Sequence, residues 1–323
     1  MFNKTYTYSQ LSSQSAGRLV ALNYDLQGPV RCKYYVLGLH DNYLIDGDAG
    51  KYIFRLYRNT WRTQEEALFE LELLTFLGNK DAPVATPIST NQGQLSLLIE
   101  SPEGDRVGAL FRYADGHAPE NEVTVKQSLL LGQTVANIHL LTQTYDSPCA
   151  RPVLDIYYLL DESIIAIEPF IDTDARDYLK VLQRKLHHIV PGLRQEAGEF
   201  GICIGDVNLS NFHINDNNQI TLFDFDQCGY GYRAFEIGKF LSSIHSLKSK
   251  QKIGQAFVDG YQLVRPLSQA ELDIIPYFEI VAVIWVMAIH AYNAERIGHK
   301  FLEKPFWDRR LAVLKELDKV MPD

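Results

Sequence analysis

The sequence predicts an α+β fold of two lobes, a small β-rich lobe followed by a larger, mainly helical one. Three observations lead there. Short aromatic and β-branched runs, punctuated by Gly and Asp, crowd roughly the first third of the chain. From residue 124 onward, apolar residues recur at helical spacing over long segments. One polar β island, GICIGDVNLSNFHINDNNQITLFDFD at residues 201–226, interrupts the helical part.

Taken in order, strands are expected over residues 33–38, 42–46 and 51–57, the last two joined by a Gly47-Asp48-Ala49-Gly50 turn. Thr63-x-x-Glu66 is a capping box that opens a helix to about Leu77, and Asp81-Ala82-Pro83 stops it. Strands follow over residues 84–88, 95–99 and 107–111, with a turn at Asn91-Gln92-Gly93. Residues 113–118 then break the pattern. Beyond them helices are expected over 124–141, 174–189, 233–247 and 253–263, after a Ser268-x-x-Glu271 capping box, and over 307–320. The expected organisation is a first lobe at 1–112 (an antiparallel sheet plus one helix), a hinge at 113–118 and a helical lobe at 119–323. Folds of two lobes place ligands in the cleft between them.

With 323 residues, 46% of them hydrophobic, the chain can bury a sizeable core. A net charge of −9 argues against a nucleic-acid partner bound through a general basic surface. Four cysteines, Cys32, Cys149, Cys203 and Cys228, lack zinc spacing and read as reduced thiols of a cytoplasmic enzyme. The opening MFNKTYTYSQLSSQSAG has no apolar core of a signal peptide. The longest apolar run, residues 280–289, falls short of the roughly 20 residues that span a bilayer, so no membrane partner is expected.

The β island carries the chemistry. Asp206 is followed five positions later by Asn211, then by a strand-like Phe-His-Ile, a turn at residues 215–218 and a return strand ending in Asp224 and Asp226. A hairpin of this length returns Asp224 toward Asn211. Phosphoryl transfer needs such a set: a carboxylate to orient the acceptor hydroxyl and take its proton, and hard oxygen ligands to hold Mg2+ against nucleotide phosphates. The spacing D-x-x-x-x-N before a strand ending in Asp is the kinase arrangement of catalytic loop and metal-binding Asp.

Several stretches together resemble the aminoglycoside phosphotransferase and choline kinase superfamily, most closely the bacterial stress-response kinases acting on Ser/Thr. YIFRLYRNTW resembles that family's third strand, EALFELELLTFLGNKDAPVATPI its helix C, and ALFRYADGH its hinge. LGQTVANIHLLT resembles its helix ending in a small-x-x-His pattern; IGDVNLSNFHI and LFDFDQCGYGYRAFEIGKFL resemble its catalytic and metal loops. The resemblance implies a protein-kinase-like fold and an ATP-dependent phosphotransferase, with GTP as the other candidate donor and Mg2+ as cofactor. Nucleotide and a hydroxyl acceptor, either a small molecule or a protein Ser/Thr, would be its partners. By position, Asp206 matches the catalytic Asp, and Asn211 and Asp224 the magnesium ligands. Arg55 falls in the place of the phosphate-gripping Lys, and Glu70 in that of the helix-C Glu that steadies it. Phe111, Arg112 and Tyr113 fall in the hinge whose backbone binds adenine, and Glu236 in the place of an Asp supporting the catalytic loop.

Three positions depart from the pattern: Arg55 for Lys, Ile204 for a His two residues before Asp206, and Glu236 for Asp. Arg keeps the charge but is planar and forked. Arg55 and Ile204 support the alternative of a non-catalytic kinase-like nucleotide-binding or scaffold protein. Each candidate also has a structural reading. Asp206 and Asn211 could cap a turn. Glu70 could be a solvated helix glutamate, but it lies in line with Ala67, Leu74 and Leu77, so its carboxylate needs a partner; Arg55 is the candidate, with Glu72 the rival for that pairing. Asp226 reads as an outward strand residue, a second metal ligand or part of an acceptor pocket. His139 reads as a helix-terminal residue complementing the dipole.

Overall fold

The computed structural model describes residues 5–119, 123–190 and 199–319. The chain divides into two compact units: Met1–Gly116 with Tyr145–Arg151 and Thr221–Phe223, and His117–Thr144 with Pro152–Ile220 and Asp224–Asp323.

The first unit contains α1 (Ser13–Asn23), β1 (Arg31–Leu37), β2 (Asp41–Gly47), β3 (Gly50–Leu56), α2 (Gln64–Gly78), β4 (Pro87–Ile88), β5 (Leu97–Ile99) and β6 (Arg106–Arg112). The strands form one sheet in the order β1-β2-β3-β6-β4, with β5 also on β6. Every pairing is antiparallel. The Gly47–Gly50 turn closes the β2–β3 hairpin, and the Thr63/Glu66 capping box starts α2. Val20, Tyr43, Ile45, Phe54, Leu56 and Leu110 pack as the core on one face.

Two expectations are corrected here. The sheet carries two helices rather than one. Helix α1 starts on Ser12, which accepts from Ser15 N–H, and it lies so close to β1 that a Cβ on Gly17 would come 2.9 Å from Cys32 Cβ. The strand expected over 84–88 shrinks to Pro87–Ile88, and Val84 makes only an isolated bridge to Leu222. Pro83 and Pro87 have no N–H to give a ladder.

The second unit is mainly helical: α3 (Val125–Leu141), α4 (Glu162–Ile167), α5 (Thr173–Ile189), α6 (Arg233–Ile244), α7 (Lys250–Val264), α8 (Gln269–Tyr292), α9 (Ala294–Ile297) and α10 (Lys304–Asp318). Between α5 and α6 run β7 (Phe200–Cys203), β8 (Phe212–Ile214), β9 (Ile220–Leu222), which counts with the first unit from Thr221 on, and β10 (Gly229–Tyr232). β7 pairs antiparallel with β10, and β8 with β9 across the Asn215–Gln219 turn. Helix α10 begins earlier than expected, with Pro305 in its first turn, and residue 320 of the expected helix lies outside the described residues. α3 and α7 touch backbone to backbone. A Cβ on Gly132 would lie 2.1 Å from the Phe257 carbonyl oxygen, and one on Gly260 would lie 2.0 Å from that of Leu129. Helix α8 extends well beyond the apolar run seen in sequence. It is long and apolar enough to cross a membrane, but 67% of its apolar window is buried inside the protein.

Candidate active site

The segment after β7 is held by α6. Glu236, fully buried on the first turn of α6, accepts the N–H of Ile204 on Oε2 and that of Gly205 on Oε1 (2.9 Å). Gly205 has φ +82°, and a Cβ there would sit 2.0 Å from the Gln227 carbonyl oxygen, so this turn requires glycine. Ile204 is 1% exposed and packs as core. At position 204 the polar anchor is the backbone N–H on Glu236, while the side chain is apolar core.

Asp206 follows at once. Its main-chain oxygen accepts from Asn208 Nδ2 (3.1 Å) and Asn211 Nδ2 (3.0 Å), and its Oδ2 accepts from Asn211 Nδ2 (2.9 Å). Asn208 Oδ1 in turn takes the Ser210 N–H (2.8 Å), which braces the loop from within. Asp206 Oδ1 pairs with Lys239 Nζ at 2.7 Å. Because the Asn211 amide nitrogen faces Asp206, its Oδ1 is the oxygen turned away, where it takes a long bond from Ser210 Oγ (3.4 Å).

Asn211 immediately precedes β8 and Asp224 lies two residues past β9, so the hairpin returns the chain to the end from which it left. Asp224 is in the left-handed region at φ +63°, a conformation a non-glycine residue holds at a cost and one that clusters at functional sites. Asp226 is not an outward strand residue: it is 2% exposed and its Oδ2 accepts from Gln227 Nε2 at 2.8 Å.

Sequence reasoning passed over Lys239. A lysine on a helix ordinarily reads as a solvated charge. The signal available was its i,i+3 relation to Glu236, which places both on one face of α6.

His139 proves to be a core group rather than a charge at a helix end. Its Nδ1 lies 2.7 Å from Tyr261 Oη, and Arg265 donates to the same oxygen at 3.3 Å. The other ring nitrogen of His139, Nε2, lies 3.5 Å from Glu236 Oε2. Burial, with Arg233 and Arg265 nearby, holds the imidazole well below its usual pKa, so it is neutral. His139, Cys203 and Glu236 bring their donor atoms within 4.8 Å of one another. Burial pushes the Cys203 thiol well above its ordinary pKa, and both Glu236 oxygens hold backbone N–H groups. The cluster is therefore a fastening for residues 204 and 205.

In the first unit, Arg55 and Glu70 form the pair that the α2 stripe called for. Arg55 Nη1 lies 3.0 Å from Glu70 Oε1, with side-chain exposures of 9% and 1%. Tyr57 Oη donates to Glu70 Oε2 at 2.8 Å, and Arg55 Nε donates to Asn42 Oδ1 at 3.3 Å. Glu72 instead accepts from Ser147 Oγ at 2.9 Å. Phe111 and Arg112 end β6, and Tyr113 follows. The Arg112 N–H donates to Thr86 O (2.9 Å) and that of Tyr113 to Lys51 O (3.3 Å).

Residues 37–270 match the sequence profile of the phosphotransferase enzyme family. The chain belongs to that family. A protein of Synechocystis sp., sll1119, is 35% identical over 96% of this chain and 86% of its own length. A homoserine kinase of Polaromonas naphthalenivorans is 24% identical over 73% of each chain. The structure of an amicoumacin kinase in complex with AMP-PNP and Ca2+ superposes with a TM-score of 0.80 at 21% identity, covering 96% of this chain and 95% of its own. The two-lobed, kinase-like α+β fold expected from the sequence is thereby borne out. As a member of the phosphotransferase family the protein is an enzyme that transfers a phosphoryl group to an alcohol group.

Proposed function

We propose that the protein moves the γ-phosphate of ATP to a hydroxyl of a small molecule with the help of Mg2+, and that Asp206 orients that hydroxyl and takes its proton. The observation that carries this reading is the Asp206–Asn211 contact at 2.9 Å within a loop fastened to α6. The homoserine and amicoumacin kinases among its relatives favour a small acceptor over a protein Ser/Thr.

The donor set suits a hard divalent cation. Asn211 turns an amide oxygen outward because its nitrogen is committed to Asp206, and Asp224 adds a carboxylate. Bound there, the cation would neutralise charge on the nucleotide phosphates. The rest is positioning by the chain's own groups. Asn211 and the braced main chain hold the Asp206 carboxylate in one orientation. Arg55, paired with Glu70 and flanked by the Phe111 ring at 5.3 Å, is the cation assigned to nucleotide phosphate. With the N–H groups of Arg112 and Tyr113 engaged, adenine would meet the carbonyls and side chains of that segment or replace the longer Tyr113 bond. The two features behind a non-catalytic reading, Arg55 and Ile204, both sit in intact networks.

An acceptor screen with ATP and Mg2+, scored against Asp206→Asn, tests the assignment. Transfer to a small alcohol should fall on the order of 10²–10⁴-fold in the variant. An acceptor phosphorylated equally well by both proteins would overturn the role of Asp206, and labelling confined to protein Ser/Thr would overturn the small-molecule assignment.

A further inference from the structure

We propose that Lys239 is a positioning residue for phosphoryl transfer, fixing the Asp206 carboxylate for the acceptor; this rests on the role of Asp206 given above. Lys239 Nζ lies 2.7 Å from Asp206 Oδ1, and the lysine side chain is 4% exposed while that of Asp206 is 26% exposed. A lysine with a surface role keeps its ammonium in water and buries only its stem. Here the strongly hydrated head is withdrawn from solvent and set on one carboxylate oxygen, an arrangement that is costly unless the partner is well placed.

The other oxygen, Oδ2, is taken by Asn211 Nδ2 at 2.9 Å. A cation from α6 and an amide from the loop thus grip opposite oxygens of one carboxylate. A carboxylate offers about four lone-pair sites, so acceptor-facing sites remain after both contacts.

The support under Lys239 is rigid. One turn earlier on the same helix, Glu236 binds the N–H groups of Ile204 and Gly205. Gly238, next to Lys239, lies so close to α8 that a Cβ would come 2.6 Å from the Phe278 carbonyl carbon and 2.7 Å from Glu279 N. A single turn of α6, pressed onto α8, therefore fastens three consecutive residues: 204 and 205 by their backbone and 206 by its side chain. A helix that merely needed a soluble residue at 239 would not point it inward at the reacting carboxylate.

The test uses the full chain and magnesium-dependent hydrolysis of ATP, with water as the probe acceptor. Lys239→Met should lower kcat by about 10²-fold, the order of loss that a small misplacement of a reacting group produces, while KM for ATP stays within about twofold. Because Lys239 acts through Asp206, adding Lys239→Met to Asp206→Asn should cost nothing further. A folded Lys239→Met protein with the parental kcat, beside an inactive Asp206→Asn protein, would end the role of Lys239 and leave that of Asp206 standing. Parental turnover in Asp206→Asn would end the reading of Asp206 itself. Should Lys239→Met fail to fold, the double variant, in which no charge is left unpaired, decides: a rate equal to that of Asp206→Asn supports the proposal and a further drop overturns it.

Discussion

Glu70 holds a charge at 0% exposure in the first unit, and two groups depend on it, the Arg55 guanidinium and the Tyr57 hydroxyl. Glu70→Ala should destabilise the protein by about 3–5 kcal/mol in urea unfolding, because it strands a buried cation. Replacing both partners, Arg55→Met with Glu70→Leu, should recover most of that loss while abolishing nucleotide-dependent stabilisation. This pair was legible in the sequence, since a glutamate in an apolar helical stripe demands a counter-charge and the family resemblance named Arg55 for it. Lys239 was only faintly legible: its i,i+3 spacing puts it on the Glu236 face, but its partner is distant in the chain, and helical periodicity does not say which polar residue turns inward. Asp226 misled for a related reason: the return strand expected to run through it stops at Leu222, so Asp226 sits in the turn before β10, where strand alternation does not apply.

At the scale of elements, capping boxes and long apolar periodicities located α2 and α3 nearly to the residue, and the start of α8, because local hydrogen bonds and one-sided burial fix such helices. α1 escaped notice because Gly17 lowers its helical propensity, and the benefit of that glycine, close approach to Cys32, exists only after folding. The same logic governs the contact of α3 with α7. Gly260→Ala would drive a methyl group into the Leu129 carbonyl oxygen, now 2.0 Å from the ideal Cβ position. It should lower stability by about 1–3 kcal/mol or more, seen as a lower thermal midpoint, whereas Gly93→Ala, with open space around it, should show only the strain of its φ of +78°.

At the scale of the whole molecule, two buried groups set opposing pH dependences of stability. Burial raises Glu236 from the ordinary 4.5 to about 7, although the N–H groups of Ile204 and Gly205 and the charge of Lys239 pull the other way. Between those values the folded chain holds a proton that the unfolded chain has released, so this contribution is present below pH 4.5 and is lost as pH rises through about 7. His139 works in reverse: below its ordinary 6.5 the unfolded chain takes up a proton that the folded chain refuses, so stability falls on acidification. Glu236→Gln should remove the descending limb. Urea midpoints measured from pH 5 to 8 should fall less steeply with pH in the variant than in the parent, and parallel profiles would exclude Glu236 as the titrating group.

Glu236 grips amide hydrogens that every residue except proline supplies. Position 204 is thereby released from any polar duty and answers only to volume and greasiness. Searches for such enzymes that insist on an imidazole two places before the aspartate will discard chains built like this one, whereas a pattern keyed on the carboxylate of the following helix, one turn before a lysine, will retain them.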